Sequence, residues 1–146
     1  MTELIDVFND LVHFETRLYN ALSERVRAEH GLTIGQFGFL RLIDGRENYR
    51  VNDAAHDIAI TVGAVSKAVD RLEQAGWVVR RPNPRNRRSS LLELSPAGRE
   101  LLEAATPTVE DGLRTWLTEP LAAELAGPLQ TLRRAMQDAG TGTPTG

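Results

Sequence analysis

Seven basic side chains between residues 60 and 92 form the part of this sequence best suited to binding a polyanion. They are Lys67, Arg71, Arg80, Arg81, Arg85, Arg87 and Arg88. Only Asp70 and Glu73 oppose them, so seven positive and two negative charges give this segment a net charge of +5. The whole chain of 146 residues has a net charge of −3, which leaves −8 on the remainder. A basic segment within an acidic protein indicates one specific surface for a polyanion.

Other kinds of chemistry lack the residues they need. The chain has no cysteine, which excludes disulfides, thiolate metal sites and a thiol redox switch. Its three histidines, His13, His30 and His56, do not have the spacing of paired metal ligands. The sequence also has no glycine-rich phosphate loop, nucleophile elbow or dinucleotide fingerprint. We therefore expect no enzyme, no cofactor and no metal.

Length and composition favour one globular unit. A chain of 146 residues with 41% hydrophobic and 25% charged residues can bury a core. No apolar run approaches the ~20 residues that cross a bilayer, and the N-terminus lacks the pattern of a signal peptide. We therefore expect a cytoplasmic protein without a membrane partner.

Two short helices are predicted near the start of the basic segment. The first comes directly before the segment, and the second lies within it. Asn52 can cap the first, residues 53–59, in which Ala55 and Ile58 face inward. Thr61 can cap the second, whose apolar stripe is Val62, Val65, Val69 and Leu72 and which ends near Gly76. Their close succession predicts a helix-turn-helix, with Gly63, Ala64, Ser66, Lys67 and Arg71 on its outward face.

A basic β-hairpin is predicted immediately after these helices. Residues 77–81 and 91–94 have strand composition. The connection, residues 83–89, is rich in turn-forming residues and carries Arg85, Arg87 and Arg88. The alternative for these arginines is a solvated loop without a partner.

Residues 4–30 are predicted to form one long helix. Its main apolar stripe consists of Leu4, Phe8, Leu11, Leu18, Leu22 and Val26. Val7, Val12 and Phe14 add apolar side chains outside this stripe. At 1.5 Å per residue the helix is about 40 Å long, more than a domain of this size needs to cover its core. These features predict a partner subunit; the alternative is a long helix buried within one monomer.

A second helix is predicted after a stop at Gly31. Thr33 and Gln36 match a capping box, and a short strand is possible near residues 49–51 after the helix ends. The side chains expected on the buried side of this helix are Phe37, Leu40 and Ile43.

Two further helices complete the chain. Ser95 and Pro96 form an N-cap and first-turn pair, and Pro107 is expected to kink the helix that follows. The last helix begins near Thr118, with Leu121, Leu125, Leu129, Leu132 and Met136 at helical spacing and a bend expected at Pro128. Residues 139–146 are predicted to be a flexible tail.

The order of these elements resembles the MarR family of winged helix-turn-helix transcriptional regulators, from about Leu4 to Met136. The sharpest sections are residues 60–78, from Ile60-Thr61-Val62 to Gly76-Trp77-Val78, the wing sequence Arg85-Asn86-Arg87-Arg88-Ser89, and residues 92–98, Leu-Glu-Leu-Ser-Pro-Ala-Gly. Leu32-Thr33 with Gln36-Phe37 and Leu40 is similar to the family's second-helix signature.

The resemblance implies a mainly α fold with a small β-hairpin, a winged helix-turn-helix with six helices. It also implies an obligate homodimer whose first and last helices interlock. Residues 1–32 and 107–138 would form the dimerisation region, and residues 33–106 the DNA-binding lobe.

Double-stranded DNA is the partner that the resemblance implies. The fourth helix would enter the major groove and the wing the minor groove, placements that groove width and the negative potential of the minor groove also favour. By position, the candidates to approach bases are Thr61, Val62, Gly63, Ser66 and Lys67. Arg71 would meet a phosphate; its alternative is a salt bridge to Asp70 or Glu73. Arg85, Arg87 and Arg88 complete the DNA-binding set.

The wing departs from the family pattern at one position. The family usually has an aspartate two residues before the arginine that enters the groove, and the two side chains pair. The matching residues here are Asn86 and Arg88. Asparagine accepts a hydrogen bond but has no charge, so the wing would be oriented more loosely or by another acid such as Glu93.

Many members of the family respond to a small aromatic or anionic effector in a cleft between the dimer helices and the DNA-binding lobe. The candidate lining residues are His13, Arg17, Phe37, Arg41 and Trp116. For Phe37 the alternative is the hydrophobic core, and for Trp116 it is the dimer core.

The expected function is that of a homodimeric repressor on a pseudo-palindromic operator. The effector, if one exists, would release it from DNA. The alternative is a winged-helix module that binds protein without reading DNA.

Overall fold

The computed structural model describes residues 1–144 and contains six α-helices and a two-stranded antiparallel hairpin within that range. The tail predicted for residues 139–146 therefore lies partly outside the described residues. The helices are α1 (Leu4–His30), α2 (Ile34–Ile43), α3 (Val51–Ile58), α4 (Val62–Gln74), α5 (Pro96–Arg114) and α6 (Glu119–Asp138). The strands are β1 (Val78–Arg81) and β2 (Leu91–Leu94), which follow α4 in the chain. This is the predicted fold class.

The first two helices have the predicted ends. α1 stops at Gly31, which adopts the left-handed conformation with a φ of 75°. The Thr33 hydroxyl accepts the Gln36 N–H, and the Gln36 side chain accepts the Thr33 N–H, so the capping box is confirmed. The expected inner face of α2, Phe37, Leu40 and Ile43, is buried.

The predicted boundaries of the third helix were wrong. α3 begins at Val51, because the Asp53 carboxylate accepts the Arg50 N–H and satisfies the start of the helix two residues before the predicted cap. Asn52 is therefore inside the first turn and is exposed. The possible strand at 49–51 reduces to a single bridge between Arg50 and Leu91.

The inward orientation predicted for Ile58 was wrong, since this side chain is 37% exposed, whereas Ala54 is fully buried. Val62, which belongs both to the predicted stripe and to the predicted DNA contacts, is 50% exposed. The remaining α4 stripe, Val65, Val69 and Leu72, is fully buried as predicted.

One hydrophobic core joins the end of α1, helices α2 to α4, the hairpin and most of α5. Val26, Leu40, Leu72 and Leu92 each have at most 1% of their surface exposed. Val109 also belongs to this core, and α5 continues as one helix past Pro107. The lobe is thus closed by residues of a single chain.

The junction between the hairpin and α5 is tightly packed. The Ser95 hydroxyl accepts the Gly98 N–H as the predicted N-cap, and the Ser95 N–H donates to the Trp77 carbonyl. A Cβ on Gly98 would clash with that carbonyl oxygen, so only glycine fits here. The start of α5 is therefore held directly against the start of β1.

The terminal helices are largely uncovered. α6 buries none of its residues, and α1 buries only Leu22 and Val26. Apolar side chains in both helices are exposed, including Leu4, Phe8, Leu11, Leu121, Leu125, Leu129, Leu132 and Met136. No helix in residues 1–144 is both long and apolar enough to cross a membrane.

Candidate nucleic-acid interface

The outward side of α4 presents polar and positively charged groups next to the wing. Its N-cap is Thr61, whose hydroxyl accepts the Ala64 N–H over 3.1 Å. Because Val65, Val69 and Leu72 hold the opposite side in the core, Gly63, Lys67 and Arg71 are left exposed and Ser66 is half-buried. The structure thus leaves the predicted α4 residues, including the exposed Val62, available at the surface.

Arg80 of β1 links the wing to α4. Its guanidinium donates to the Asp70 carboxylate over 2.6 Å and to the Ser66 carbonyl oxygen over 3.2 Å. The Glu73 carboxylate lies 3.8 Å away, and the Arg80 side chain is only 25% exposed. Arg80 therefore positions the hairpin relative to the helix and has its own charge compensated.

The acidic side chains of this region form ion pairs with the arginines of β1. Asp70 and Glu73 pair with Arg80, and Glu93 pairs with Arg81 across the two strands. The alternative pairing of Arg71 with Asp70 or Glu73 is absent from the described residues.

Five of the seven basic residues consequently have no ion-pair partner within residues 1–144. We call them the uncompensated cations: Lys67, Arg71, Arg85, Arg87 and Arg88. All five side chains are exposed. A group of exposed positive charges without opposing acids can bind successive phosphates.

The tip of the wing is ordered by two asparagines that make the same local turn. The Asn83 side-chain oxygen accepts the Arg85 N–H, and the Asn86 side-chain oxygen accepts the Arg88 N–H, each over 3.0 Å. Two backbone bonds, Asn86 to Asn83 and Ser89 to Asn86, continue the pattern. Asn86 therefore shapes the backbone of the wing, and Glu93, paired with Arg81, does not orient Arg88.

A cleft of about 410 Å³ separates the start of α4 from the wing. It is lined by Val62 and Ser66 of α4, by Arg88 and Ser89 of the wing and by Asn52 of α3. Sequence reasoning missed Asn52 and Ser89, because Asn52 resembled a helix cap and a lone serine in a loop carries no signal. The Arg50–Asp53 spacing could have identified Arg50 as the N-cap of α3. Asn52 would then have been predicted inside the first turn and not as a helix cap.

The base of α3 carries two groups with shifted pKa values. The Arg50 guanidinium, hydrogen-bonded to Asp53, holds the pKa of that carboxyl below its ordinary value. Burial, together with a 2.7 Å hydrogen bond to Asp57, raises the pKa of Tyr49. Asp53 is therefore ionised and Tyr49 is protonated at neutral pH.

None of the five residues predicted to bind an effector lines the cavities beside the wing or beside the α2–α3 loop. Phe37 is 6% exposed and belongs to the core, which is the alternative named for it. Trp116 is 62% exposed, and His13, Arg17 and Arg41 are exposed on α1 and α2. The cavities found beside the wing and the α2–α3 loop have other lining residues. The effector site stays a prediction.

Comparison with known proteins gives consistent results. Residues 32–90 match the MarR family. The multiple antibiotic resistance protein MarR of Escherichia coli (strain K12) is 27% identical over 138 residues, which are 90% of this chain and 96% of that protein.

Solved structures share the fold. Sco3205, a MarR family transcriptional regulator from Streptomyces coelicolor in complex with DNA, gives a TM-score of 0.83 at 24% identity, covering 94% of this chain and 90% of that one. CouR from Rhodococcus jostii RHA1, bound to p-coumaroyl-CoA, gives a TM-score of 0.78 at 20% identity, covering 90% and 92%. The match over residues 32–90, which contain the helix-turn-helix and the first strand and connection of the wing described above, makes this part of the chain similar to the MarR family of winged-helix transcriptional regulators.

Proposed function

We propose that the protein is a homodimeric, sequence-specific repressor that binds a pseudo-palindromic operator. The observation that carries this proposal is the charge distribution around α4 and the wing. The acids that could neutralise the basic segment pair with Arg80 and Arg81, so the uncompensated cations on α4 and the wing are free for phosphates. A DNA complex of the similar Sco3205 supports the same partner here.

The two elements are suited to adjacent grooves. A helix such as α4 fits the major groove, where Thr61, Val62, Gly63, Ser66 and Lys67 would approach base edges. A thin ribbon bearing Arg85, Arg87 and Arg88 fits the minor groove. Arg71 would contact a phosphate.

The cleft between α4 and the wing would hold the strand that separates those two grooves. One sugar–phosphate backbone always runs between a major groove and the neighbouring minor groove. The Ser89 hydroxyl and the Asn52 amide at the walls are suitable phosphate donors, in addition to Arg88. Arg80 would set the width of the cleft because it joins β1 to α4.

The dimer is supported by the uncovered apolar faces of the terminal helices. Leu125 and Leu129 of α6 are 40% and 46% exposed, and Phe8 of α1 is 64% exposed. Contiguous apolar faces of this kind are typical of an interface. Two-fold symmetry would place the two half-sites about 10 bp apart, one turn of DNA.

Release by a small effector follows the same proposal. The similar CouR binds p-coumaroyl-CoA, an aromatic anionic compound. An effector would act by favouring an arrangement of the two lobes that does not match successive grooves.

DNA titrations at several salt concentrations test the proposal. We expect Arg88→Ala to weaken binding to operator and random DNA alike and to reduce the salt slope by about 0.9 for each phosphate that is no longer neutralised. Lys67→Ala should also reduce the ratio of operator to random affinity. The matched control is Arg99→Ala on α5, which belongs to neither α4 nor the wing and should leave both affinities unchanged.

The operator itself can be selected from a random DNA pool with the wild-type protein. Wild-type binding without salt dependence, or equal effects of Arg88→Ala and Arg99→Ala, would contradict the proposed docking. Such a result would favour the alternative function, a module that binds protein.

A further inference from the structure

Val62 is an apolar side chain exposed on the surface that the proposed function assigns to DNA. It is the first residue of α4 and is 50% exposed, whereas Val65 in the next turn is fully buried. Single exposed valines are common on protein surfaces, so the position of this one carries the argument. Val62 lines the cleft between α4 and the wing, together with Arg88 and Ser89.

The position of Val62 is fixed by its neighbours. The Thr61 hydroxyl accepts the Ala64 N–H and starts the helix directly before Val62. One turn later, the Ser66 carbonyl oxygen accepts a hydrogen bond of 3.2 Å from Arg80, which holds this part of α4 against β1. A β-branched side chain has one strongly preferred rotamer in a helix. The two methyl groups of Val62 therefore have a defined place and lose little freedom when they make a contact.

The start of α4 carries no polar side chain. Gly63 and Ala64 follow Val62 and are exposed as well, and a Cβ added to Gly63 would have no atom within 4 Å. Lys67, the first charged residue of α4, is about 7.5 Å further along the helix axis. The side chains of the first three residues can therefore distinguish bases only by apolar contact.

The major groove offers one apolar group for such a contact. All four base pairs present hydrogen-bonding groups there, and thymine adds a C5-methyl group. The C5 position of a pyrimidine lies at the edge of this groove, next to the sugar–phosphate backbone of its own strand. Because Val62 lines the cleft that would hold this backbone, the C5 position is the base group that its methyl groups would meet first.

We propose that Val62 recognises the C5-methyl group of one thymine in each half-site of the operator, on the strand that the cleft holds. The inference rests on the proposed function and adds to it a residue that determines base specificity. Cytosine has a hydrogen atom at C5 and would leave the valine methyl groups without a partner. Since the contact involves no charge, its contribution to affinity does not depend on salt.

Replacement of thymine by deoxyuridine tests the contact, because it removes only the C5-methyl group and keeps the base pairing. The DNA is the operator selected with the wild-type protein, each thymine is replaced in both half-sites together, and fluorescence anisotropy measures the affinity. We expect one replacement to lower wild-type affinity about fifteenfold, or about fourfold for each methyl group that leaves an apolar contact. The ratio should be equal at two salt concentrations.

Val62→Ala removes both γ-methyl groups, so its affinity should change less than about twofold on the same replacement. Alanine is the better helix former, which favours retention of the fold. Val79→Ala is the matched control. Val79 of β1 is 37% exposed and points away from α4, because the adjacent Arg80 points toward α4. The control should keep the full sensitivity to deoxyuridine.

Three results would overturn the contact: selected half-sites without thymine, no sensitive thymine with the wild type, or equal sensitivity in the wild type and Val62→Ala. Loss of sensitivity in Val79→Ala to the same extent as in Val62→Ala would also overturn it. In each of these cases a selected operator that binds specifically leaves the proposed function standing. If the protein binds no DNA at any salt concentration, the function and the contact fail together.

Discussion

The winged lobe and the terminal helices differ in how they bury their apolar side chains. In the lobe, Leu40, Leu72 and Leu92 are at most 1% exposed, all covered by residues of one chain. In α6, Leu125 and Leu129 keep 40% or more of their surface exposed although they repeat with the same helical regularity. Helical periodicity thus predicts which side of a helix is apolar, but it does not predict whether another segment of the same chain covers that side; in α6 no described residue is buried.

The largest effect is expected from Leu125→Asp. The substitution places a charge on the apolar side of α6, and two-fold symmetry places it in the interface twice. Each leucine contributes about 1.5–3 kcal/mol when fully buried, so dimer affinity should fall by about a thousandfold or more. Sedimentation equilibrium measures the change.

Gln130→Asp is the control for charge on the same helix, since Gln130 is polar and exposed. It should leave dimer affinity within a fewfold of the wild type. A wild-type protein that sediments as a monomer would remove the contrast between the two regions.

The next prediction compares a substitution in the core of the winged lobe with one on the apolar side of α6. Leu40→Ala should lower the free energy of unfolding by about 2–5 kcal/mol, because it opens a cavity inside the closed lobe. Leu129→Ala should act through the proposed interface, so its effect on the midpoint of urea unfolding should depend on protein concentration. Urea unfolding at two or more protein concentrations distinguishes them. An equal concentration dependence of the two effects would contradict the assignment.

A smaller effect on DNA affinity is expected from the loss of Arg80, whose side chain joins β1 to α4. Arg80→Met keeps most of the aliphatic stem but removes the links from β1 to Asp70 and Ser66. DNA affinity should fall about tenfold, equivalent to about 1.4 kcal/mol, with an unchanged salt slope because Arg80 is paired with Asp70 and is not one of the proposed phosphate contacts. A slope reduced as much as in Arg88→Ala would instead make Arg80 a DNA contact.

The smallest effect concerns acid stability at the start of α3. Asp53 has a pKa below its ordinary value of 3.8, so it stabilises the fold above that pH, and this contribution is lost as the pH falls through the lowered pKa. The Arg50–Asp53 pair is partly exposed, which limits the contribution to about 0.2–1 kcal/mol. Asp53→Asn should therefore make urea unfolding less sensitive to pH below about pH 4. An unchanged pH dependence would contradict this role.

Most of the fold could be predicted from the sequence, because its helix ends use local signals. Gly31, the Thr33–Gln36 capping box and the Ser95–Pro96 start each depend on neighbours within three or four residues. The hairpin could be predicted for the same reason, from strand composition on both sides of a turn-rich connection.

The errors occurred where a tertiary contact decides the outcome. Ile58 fits the inward side of α3 by its apolar character, but it is 37% exposed, whereas Ala54 and Ala55 are buried. The prediction of the candidate nucleic-acid interface also lacked information on tertiary contacts. The charge count could identify the basic segment, but only the structure could show that Arg80 and Arg81 are compensated and that Arg71 is not.

The tight junction at Gly98 has a mechanical consequence for the whole chain. α5 is held against the start of β1 there and continues unbroken for 19 residues to its contact with α1. A helix of that length is about 28 Å long, so a tilt of about 10° moves its far end by about 5 Å. That displacement exceeds the roughly 3.4 Å between successive base pairs. In the proposed DNA complex, α5 would therefore act as a lever: a small rotation where the terminal helices meet would move the wing by more than one base-pair step.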